Sequence, residues 1–279
     1  MQEWWQHLPE HIDPILLIGF FSLRWYALAW LFGFAGALGF ALWLARREKS
    51  FLTRETLLDL YLSLFLGVLL GGRLGYVVLY HLDFFWSAPG RIFWPYDSVG
   101  LYTGIAGMSF HGGLIGGLVA LLIFVRIRKL RFFGAADLVT LSAPLAIFFG
   151  RIGNFLNLEL PGRITTEPWG MVFPALQPFG GLRHPSTLYE AIGEGLLLFI
   201  FLLVARRRLS SPGLLSALFL IGYGVIRFFL EYVREPDLGA SLFFDILTHG
   251  QVYSLPLIVM GVWLFAWLHR HNRATMTVQ

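Results

Sequence analysis

Several arginines of this chain lie where an apolar sequence should not carry charge. Arg151 and Arg227 fall within or at the end of long apolar stretches, and Arg73 lies well inside another. An ionised side chain is costly in a membrane unless it is paired or faces a polar cavity. The guanidinium is a planar fork that suits phosphate oxygens. These arginines therefore indicate either interhelical salt bridges or a site for an anionic head group.

The segment 150–163 closes one apolar run and gathers polar groups within a few positions. It contains Arg151, Asn154, Asn157, Glu159 and Arg163, together with several glycines. Ionisable groups at a membrane boundary are costly unless they are paired or solvated. We therefore expect this segment to handle a polar head group.

Charged residues also share helical faces further along the chain. Arg227 and Glu231 are four residues apart, so they can pair, and Arg234 extends the same face by about a turn. Glu190 and Glu194 have the same spacing near the start of another apolar stretch. The alternative of purely structural salt bridges stays open for Arg227 and Arg234, as for Arg73 and Arg151.

His111 is the candidate general base, because an unperturbed imidazole titrates near neutral pH. It is followed by Gly112 and Gly113, which could admit a ligand closely. A hydrogen-bonded structural histidine is the alternative. No second histidine or carboxylate lies at metal-ligand spacing, so we expect neither a metal nor a cofactor.

Composition places these residues in a membrane protein. The chain has 279 residues, of which 57% are hydrophobic and 14% charged, whereas soluble domains average about 25% charged residues. It has no cysteine, which excludes disulfides and a cysteine nucleophile of its own. Residues 1–14 lack the positive residues of a cleavable signal peptide, and we expect a short interfacial segment there.

The hydrophobic pattern predicts an all-α fold with about seven transmembrane helices in a single polytopic domain, residues 1–279. The predicted spans are 20–44, 57–80, 110–126, 135–154, 187–205, 213–233 and 251–269. Glycines four apart, such as Gly71 and Gly75 or Gly112 and Gly116, are best explained by close helix packing.

Basic residues predict the orientation of these spans. They cluster in alternate connections, at 46–54, 126–131 and 206–208, and again near the C-terminus. By the positive-inside rule the N-terminus lies outside and the C-terminus in the cytoplasm. The outer loops are then 81–109, 155–186 and 234–250, and we expect them to form a small periplasmic cap.

The chain resembles the bacterial prolipoprotein diacylglyceryl transferase family. The motifs that carry the resemblance span nearly the whole chain and occur in family order. They are Arg24-Trp25-Tyr26, Gly71-Gly72-Arg73-Leu74-Gly75-Tyr76, Phe110-His111-Gly112-Gly113, Gly150-Arg151-Ile152-Gly153-Asn154-Phe155-Leu156-Asn157 with Glu159 and Gly162, Arg183-His184-Pro185-Ser186, Tyr189-Glu190, and Gly222-Tyr223-Gly224-Val225-Ile226-Arg227 with Glu231 and Arg234. Leu158 departs from the pattern, since the family often has glycine there.

The resemblance implies a multi-pass enzyme of the bacterial inner membrane. It would transfer the sn-1,2-diacylglyceryl group of phosphatidylglycerol to the lipobox cysteine thiol of a preprolipoprotein signal peptide, forming a thioether and releasing glycerol 1-phosphate. It implies catalytic roles for His111, Arg151 and Arg227. The expected partners are membrane lipids and signal peptides, and no nucleic acid.

Further residues are expected to bind the substrate or to orient the arginines. They are Tyr26, Arg73, Asn154, Asn157, Glu159, Gly162, Glu231 and Arg234. A transporter or flippase of an anionic lipid would use the same arginines without making a bond, and a phospholipid hydrolase is a third possibility. The sequence lacks paired broken helices in two halves, which counts against a transporter.

Overall fold

The computed structural model describes residues 2–18, 21–48, 52–80, 82–94, 107–174, 180–209, 211–235 and 247–276. Within these ranges the chain is mainly helical, as predicted. The α-helices are α1 (Gln2–Gln6), α2 (Trp25–Glu48), α3 (Arg54–Tyr80), α4 (Leu82–Ser87), α5 (Phe110–Ile127), α6 (Phe132–Leu156), α7 (Ser186–Glu190), α8 (Leu198–Ala205), α9 (Leu214–Leu230) and α10 (His249–Met276). A π-helical segment, Ala191–Leu197, joins α7 to α8.

Each predicted span has a helix in the structure. Among the described residues, six helices are long and apolar enough to cross a membrane; the helix α7 to α8, Ser186–Ala205, counts as one of them. The remaining predicted span corresponds to the shorter apolar helix α9. Helices satisfy their own backbone polar groups, which lipid cannot do, so these apolar sequences fold as helices.

The predicted start of the first span, residue 20, is wrong. Two short antiparallel strands precede α2: β1 (Ile15–Ile18) and β2 (Phe21–Arg24), with Ile15 opposite Arg24. The apolar residues just before Trp25 are therefore paired with another strand instead of extending the helix. The span begins at Trp25.

The chain divides into two compact units, residues 1–41 with 136–279, and residues 42–135. In the second unit α3 packs on α5 through the predicted glycine faces. A β-carbon on Gly75 would lie 2.6 Å from the Cα of Gly112, and one on Gly71 would lie 2.7 Å from the Cα of Gly116. Any side chain at these positions would separate the two helices, which confirms the packing interpretation.

In the first unit, glycines let the continuous helix that runs from α7 to α8 pack closely against α6 and α9. A β-carbon on Gly195 would lie 2.7 Å from the Cα of Phe148 in α6, and one on Gly193 would lie 2.9 Å from Ile226 in α9. The π-helical segment that contains both glycines therefore lies in close contact with α6 and α9. Those two helices carry Arg151 and Arg227.

The described parts of the predicted outer connections contain the short helix α4, a 3-10 helix (Pro89–Ile92), isolated β-bridges and turns. Residues 162–171 pair through isolated β-bridges, Gly162 with Arg234 and Ile164 and Met171 with Arg183. Residues 95–106, 175–179 and 236–246, which belong to the predicted cap, lie outside the described residues. The cap, the membrane orientation and the single-domain assignment stay predictions.

The orientation can be tested with a reporter enzyme that works only outside the cytoplasm. Fused after Gly170, the reporter should be active, and fused after Lys129 or Leu209 it should be inactive, because basic residues beside spans stay in the cytoplasm. Activity measurements on whole cells with expression-matched fusions check this. The reversed pattern would place the 155–186 connection in the cytoplasm.

Candidate functional site

The polar segment 150–163 begins with a sharply defined helix end. Helix α6 closes with two reverse hydrogen bonds, from the Leu158 N–H to the Phe155 carbonyl (3.0 Å) and from the Glu159 N–H to the Asn154 carbonyl (3.0 Å). This pair of bonds is the Schellman motif, in which the residue after the C-cap adopts a left-handed backbone. Leu158 takes that conformation, with φ 57°. The turn folds Glu159 back over the last turn of α6.

Glu159 then accepts two amide hydrogen bonds. Asn154 Nδ2 donates to Glu159 Oε2 at 3.0 Å, and Asn157 Nδ2 donates to Oε1 of the same carboxylate. Arg24, the residue just before α2, donates to Asn157 Oδ1 at 3.4 Å. Asn154 and Asn157 are both buried. The predicted polar residues of this segment therefore form one hydrogen-bonded group.

Tyr26 and Gly162 both belong to the first unit. Gly153 of α6 packs directly on the first turn of α2, since a β-carbon there would lie 3.3 Å from the Tyr26 Cα. Gly162 lies at a backbone crossing, where a β-carbon would come within 2.6 Å of the His184 carbonyl oxygen. Its N–H donates to that same carbonyl. The glycine is required there because the crossing segments leave no room for a side chain.

One turn below the helix end, Arg151 binds two carboxylates of the π-helical region. Its Nη1 lies 2.9 Å from Glu190 Oε2, and its Nε and Nη2 donate to Glu194 Oε2 at 3.2 and 3.1 Å. Both carboxylates are fully buried, at 0% exposure, whereas the Arg151 side chain keeps 17%. Arg151 is thus held by two buried carboxylates while its own side chain stays partly exposed.

Arg227 and Arg234 contact the same carboxylate. Arg227 Nη1 and Arg234 Nη1 each donate to Glu190 Oε1 at 2.9 Å. Arg227 Nη2 lies 2.8 Å from Glu231 Oε2, which confirms the predicted pair on one helical face. Glu190 therefore contacts three guanidinium groups. We call the set Arg151, Arg227, Arg234, Glu190, Glu194 and Glu231 the ion-pair cluster.

Glycine also governs the position of Glu231. Gly250, in the first turn of α10, lies directly against the Glu231 carboxylate, and a β-carbon there would overlap it. Glu231 is buried. The start of α10 thus closes one side of the ion-pair cluster.

Two predicted site residues belong to the other compact unit. Arg73 is buried in α3, and its guanidinium donates to the backbone carbonyls of Ile92, Gly107 and Arg91. These contacts favour the structural alternative for Arg73, while its contact with substrate stays a prediction. His111 is the second residue of α5, and Phe110 lies edge-on to its ring at 5.8 Å. Ser109 caps this helix by accepting from the Gly112 N–H at 3.2 Å.

Sequence reasoning missed the partners of the arginines. The spacing of Glu190 and Glu194 places them on one helical face, but that spacing alone assigns them no role. The available signal was that two carboxylates in an apolar stretch need cationic partners. Among the described residues no group of three or more histidines, cysteines or acidic residues could hold a metal ion.

The ion-pair cluster has a specific chemical capacity. Its three arginines balance its three carboxylates, so the buried site is neutral as a whole. Each guanidinium has five N–H donors, the carboxylate contacts do not use all of them, and the Arg151 and Arg227 side chains keep 17% and 16% exposure. Such preorganised donors can bind an anion and stabilise charge that develops on it. The fold and the site define an α-helical membrane protein with an arginine-rich polar centre.

This class narrows to one family. Residues 14–267 match the family model described as prolipoprotein diacylglyceryl transferase. The chain is 45% identical over 281 residues to a phosphatidylglycerol–prolipoprotein diacylglyceryl transferase of Vibrio vulnificus (strain YJ016), covering 98% of each chain. A protein of the same name from Photobacterium profundum is 45% identical over 269 residues, covering 95% of this chain and 96% of the relative. The chain belongs to the prolipoprotein diacylglyceryl transferase family.

The left-handed Leu158 gives a direct test of the helix end. A left-handed backbone costs a residue with a side chain about 1–2 kcal/mol, and glycine avoids this cost. Leu158→Gly should therefore be more stable than Leu158→Ala by about 1 kcal/mol, although both lose the leucine side chain. Thermal unfolding of the two purified variants in one detergent checks this. Equal stabilities, or a more stable alanine variant, would contradict the assigned turn.

Proposed function

We propose that this protein transfers the diacylglyceryl group of phosphatidylglycerol to a cysteine thiol of a preprolipoprotein in the bacterial inner membrane. The observation that carries the proposal is the ion-pair cluster, in which two partly open arginine forks are held on shared buried carboxylates. The names of the relatives, which pair phosphatidylglycerol with a prolipoprotein, agree with it. The absence of cysteine from the chain fits as well, because the thiol comes from the substrate.

The reaction exchanges one bond for another at the glyceryl carbon that bears the phosphate. The substrate thiolate attacks that carbon, a carbon–sulfur bond forms, and the carbon–oxygen bond to the phosphate breaks. Glycerol 1-phosphate leaves with the bonding electrons. Arg151 and Arg227 bind the phosphate oxygens and stabilise the negative charge that grows on them.

The carboxylates of the ion-pair cluster keep the arginines ready for this step. Arginine is flexible, and a fork that must be ordered at the moment of reaction stabilises the transition state less. Glu194 accepts two hydrogen bonds from the Arg151 fork, and Glu190 forms an ion pair with its Nη1. Asn154, Asn157 and Glu159 shape the adjoining turn, and Tyr26 lies against it.

The thiol must lose its proton before it attacks. A free cysteine thiol has a pKa of about 8.5, so only a small fraction is thiolate at neutral pH. His111 accepts this proton and later releases it to water. The identity of the client protein is set by the lipobox of its signal peptide, whose cysteine supplies the thiol.

A defined transfer assay tests the function. Purified protein is incubated with phosphatidylglycerol vesicles and a lipobox peptide, and the peptide mass is measured. The expected product carries one diacylglyceryl group, and a peptide with serine in place of cysteine stays unmodified. Movement of lipid between leaflets without product would indicate a flippase, and free diacylglycerol or fatty acid would indicate a hydrolase.

The arginine forks can be tested by conservative replacement. Arg151→Lys and Arg227→Lys should each lower turnover by about 10²–10³-fold, since an ammonium group cannot bind two oxygens in the arginine geometry. The matched control is Arg128→Lys, because Arg128 pairs with Asp59 on an exposed surface. Near-normal turnover in a folded Arg151→Lys or Arg227→Lys protein would show that these residues serve only as salt bridges.

His111→Gln tests the base. Glutamine keeps bulk and hydrogen bonding but accepts no proton near neutral pH, so turnover should fall by about 10²–10⁴-fold at pH 7. Raising the pH towards the thiol pKa of about 8.5 should restore part of the rate, because more thiol ionises without help. The measurement is a pH profile of turnover for both proteins. Parallel profiles of equal height would show that His111 is structural.

A further inference from the structure

Helix α9 has no cap of its own at its first turn. Its N-cap residue is Gly213, which has φ 92° and no side chain to accept the free N–H groups. Asp137 of α6 supplies the missing acceptor. Its carboxylate accepts from the Gly213 N–H at 2.6 Å, the Ser216 N–H at 2.8 Å and the Ser216 hydroxyl at 2.7 Å. A carboxylate at a helix N-terminus both satisfies these donors and interacts favourably with the helix dipole.

This contact lies at the far end of the two helices that carry the arginine forks. Arg151 follows Asp137 by fourteen residues on α6, and Arg227 follows Gly213 by fourteen residues on α9. At 1.5 Å per residue, each arginine is about 21 Å along its helix from the cap. The two helices are thus joined at one level by Asp137 and at another by Glu190.

Helix α9 is short for a membrane span. Its 17 residues span about 25 Å, less than the roughly 30 Å of a bilayer core. The bilayer adapts to such a short helix, and packing against neighbouring helices sets its tilt and rotation. Thr140, one turn along α6 from Asp137, adds a second contact at 3.3 Å to the Ser216 hydroxyl.

We propose that Asp137 is a positioning residue for the head-group site. By capping α9 from α6, it sets the register in which Arg151 and Arg227 reach the same carboxylates, Glu190 and Glu194. A shift of α9 by a single residue would move Arg227 by about 1.5 Å along the axis and about 100° around it. The 2.9 Å contact with Glu190 would then be lost. This role rests on the proposed function, in which the two forks share one phosphate.

The test measures phosphatidylglycerol affinity as well as turnover. Asp137→Ala removes all three acceptor contacts at the start of α9, so the dissociation constant for phosphatidylglycerol should rise roughly tenfold, on the scale of a lost helix cap. Ser216→Ala removes the hydroxyl contact and leaves the backbone bonds, so its rise should be smaller. Native mass spectrometry of the purified protein with phosphatidylglycerol gives both values.

A control separates positioning from loss of stability. Leu214 is buried in the same first turn of α9 and supplies none of the three hydrogen bonds to Asp137. Leu214→Ala should lower the unfolding temperature while leaving the phosphatidylglycerol affinity near that of the wild type. Wild-type affinity in Asp137→Ala, or an equal loss of affinity in Leu214→Ala, would overturn the positioning role.

A double variant gives a second, independent readout. If Asp137 acts through Arg227, adding Asp137→Ala to Arg227→Lys should weaken phosphatidylglycerol binding by less than Asp137→Ala does in the wild type. Independent effects would multiply instead, and that result would contradict the proposal. Failure of the transferase function would appear separately, as wild-type protein that binds the lipid but forms no thioether.

Discussion

The structure depends on one constraint, which is that buried charge in a membrane protein must be paired. Glu190 meets this constraint for three guanidinium groups at once, from α6, from α9 and from the segment that follows α9. Removing one partner of a buried ion pair leaves an uncompensated charge and typically costs about 3–5 kcal/mol. The same pairing that makes the charges tolerable also fixes the directions of the arginine forks. Stability and the proposed chemistry therefore rest on the same contacts.

The helices around the ion-pair cluster are positioned by small residues and by caps. Gly193 and Gly195 let the π-helical segment approach α9 and α6, so that Glu194 reaches Arg151. π-Helical turns occur often at functional sites, where they re-aim side chains. Gly250 lets α10 close over Glu231. Each of these positions would lose its close contact if a side chain were added, and the arginine geometry would change with it.

Much of the fold and part of the site could be predicted from the sequence, because those features depend on residues that are close together in the chain. Apolar stretches located the helices, and i,i+4 spacing predicted the pair of Arg227 with Glu231. The spacing of Gly71 and Gly75 predicted helix packing. The strand before Trp25 could not be predicted, since it depends on pairing with residues 15–18. The partners of Arg151 also depend on tertiary packing. Leu158, where the family often has glycine, indicated the position of the left-handed turn but not its geometry. The contacts of Arg73 with backbone carbonyls likewise come from loop positions that no pattern specifies.

The central claim is that Glu190 holds the arginine forks in a geometry that binds phosphate. The most direct measurement is the phosphatidylglycerol affinity of Glu190→Gln, compared with Glu10→Gln, which removes the same charge from an exposed position. If Glu190 organises the forks, Glu190→Gln should bind the lipid at least about tenfold more weakly, although the site becomes more positive. Glu10→Gln should bind like the wild type. Unchanged or tighter binding in Glu190→Gln would mean that Glu190 merely competes with the phosphate, and would contradict the account.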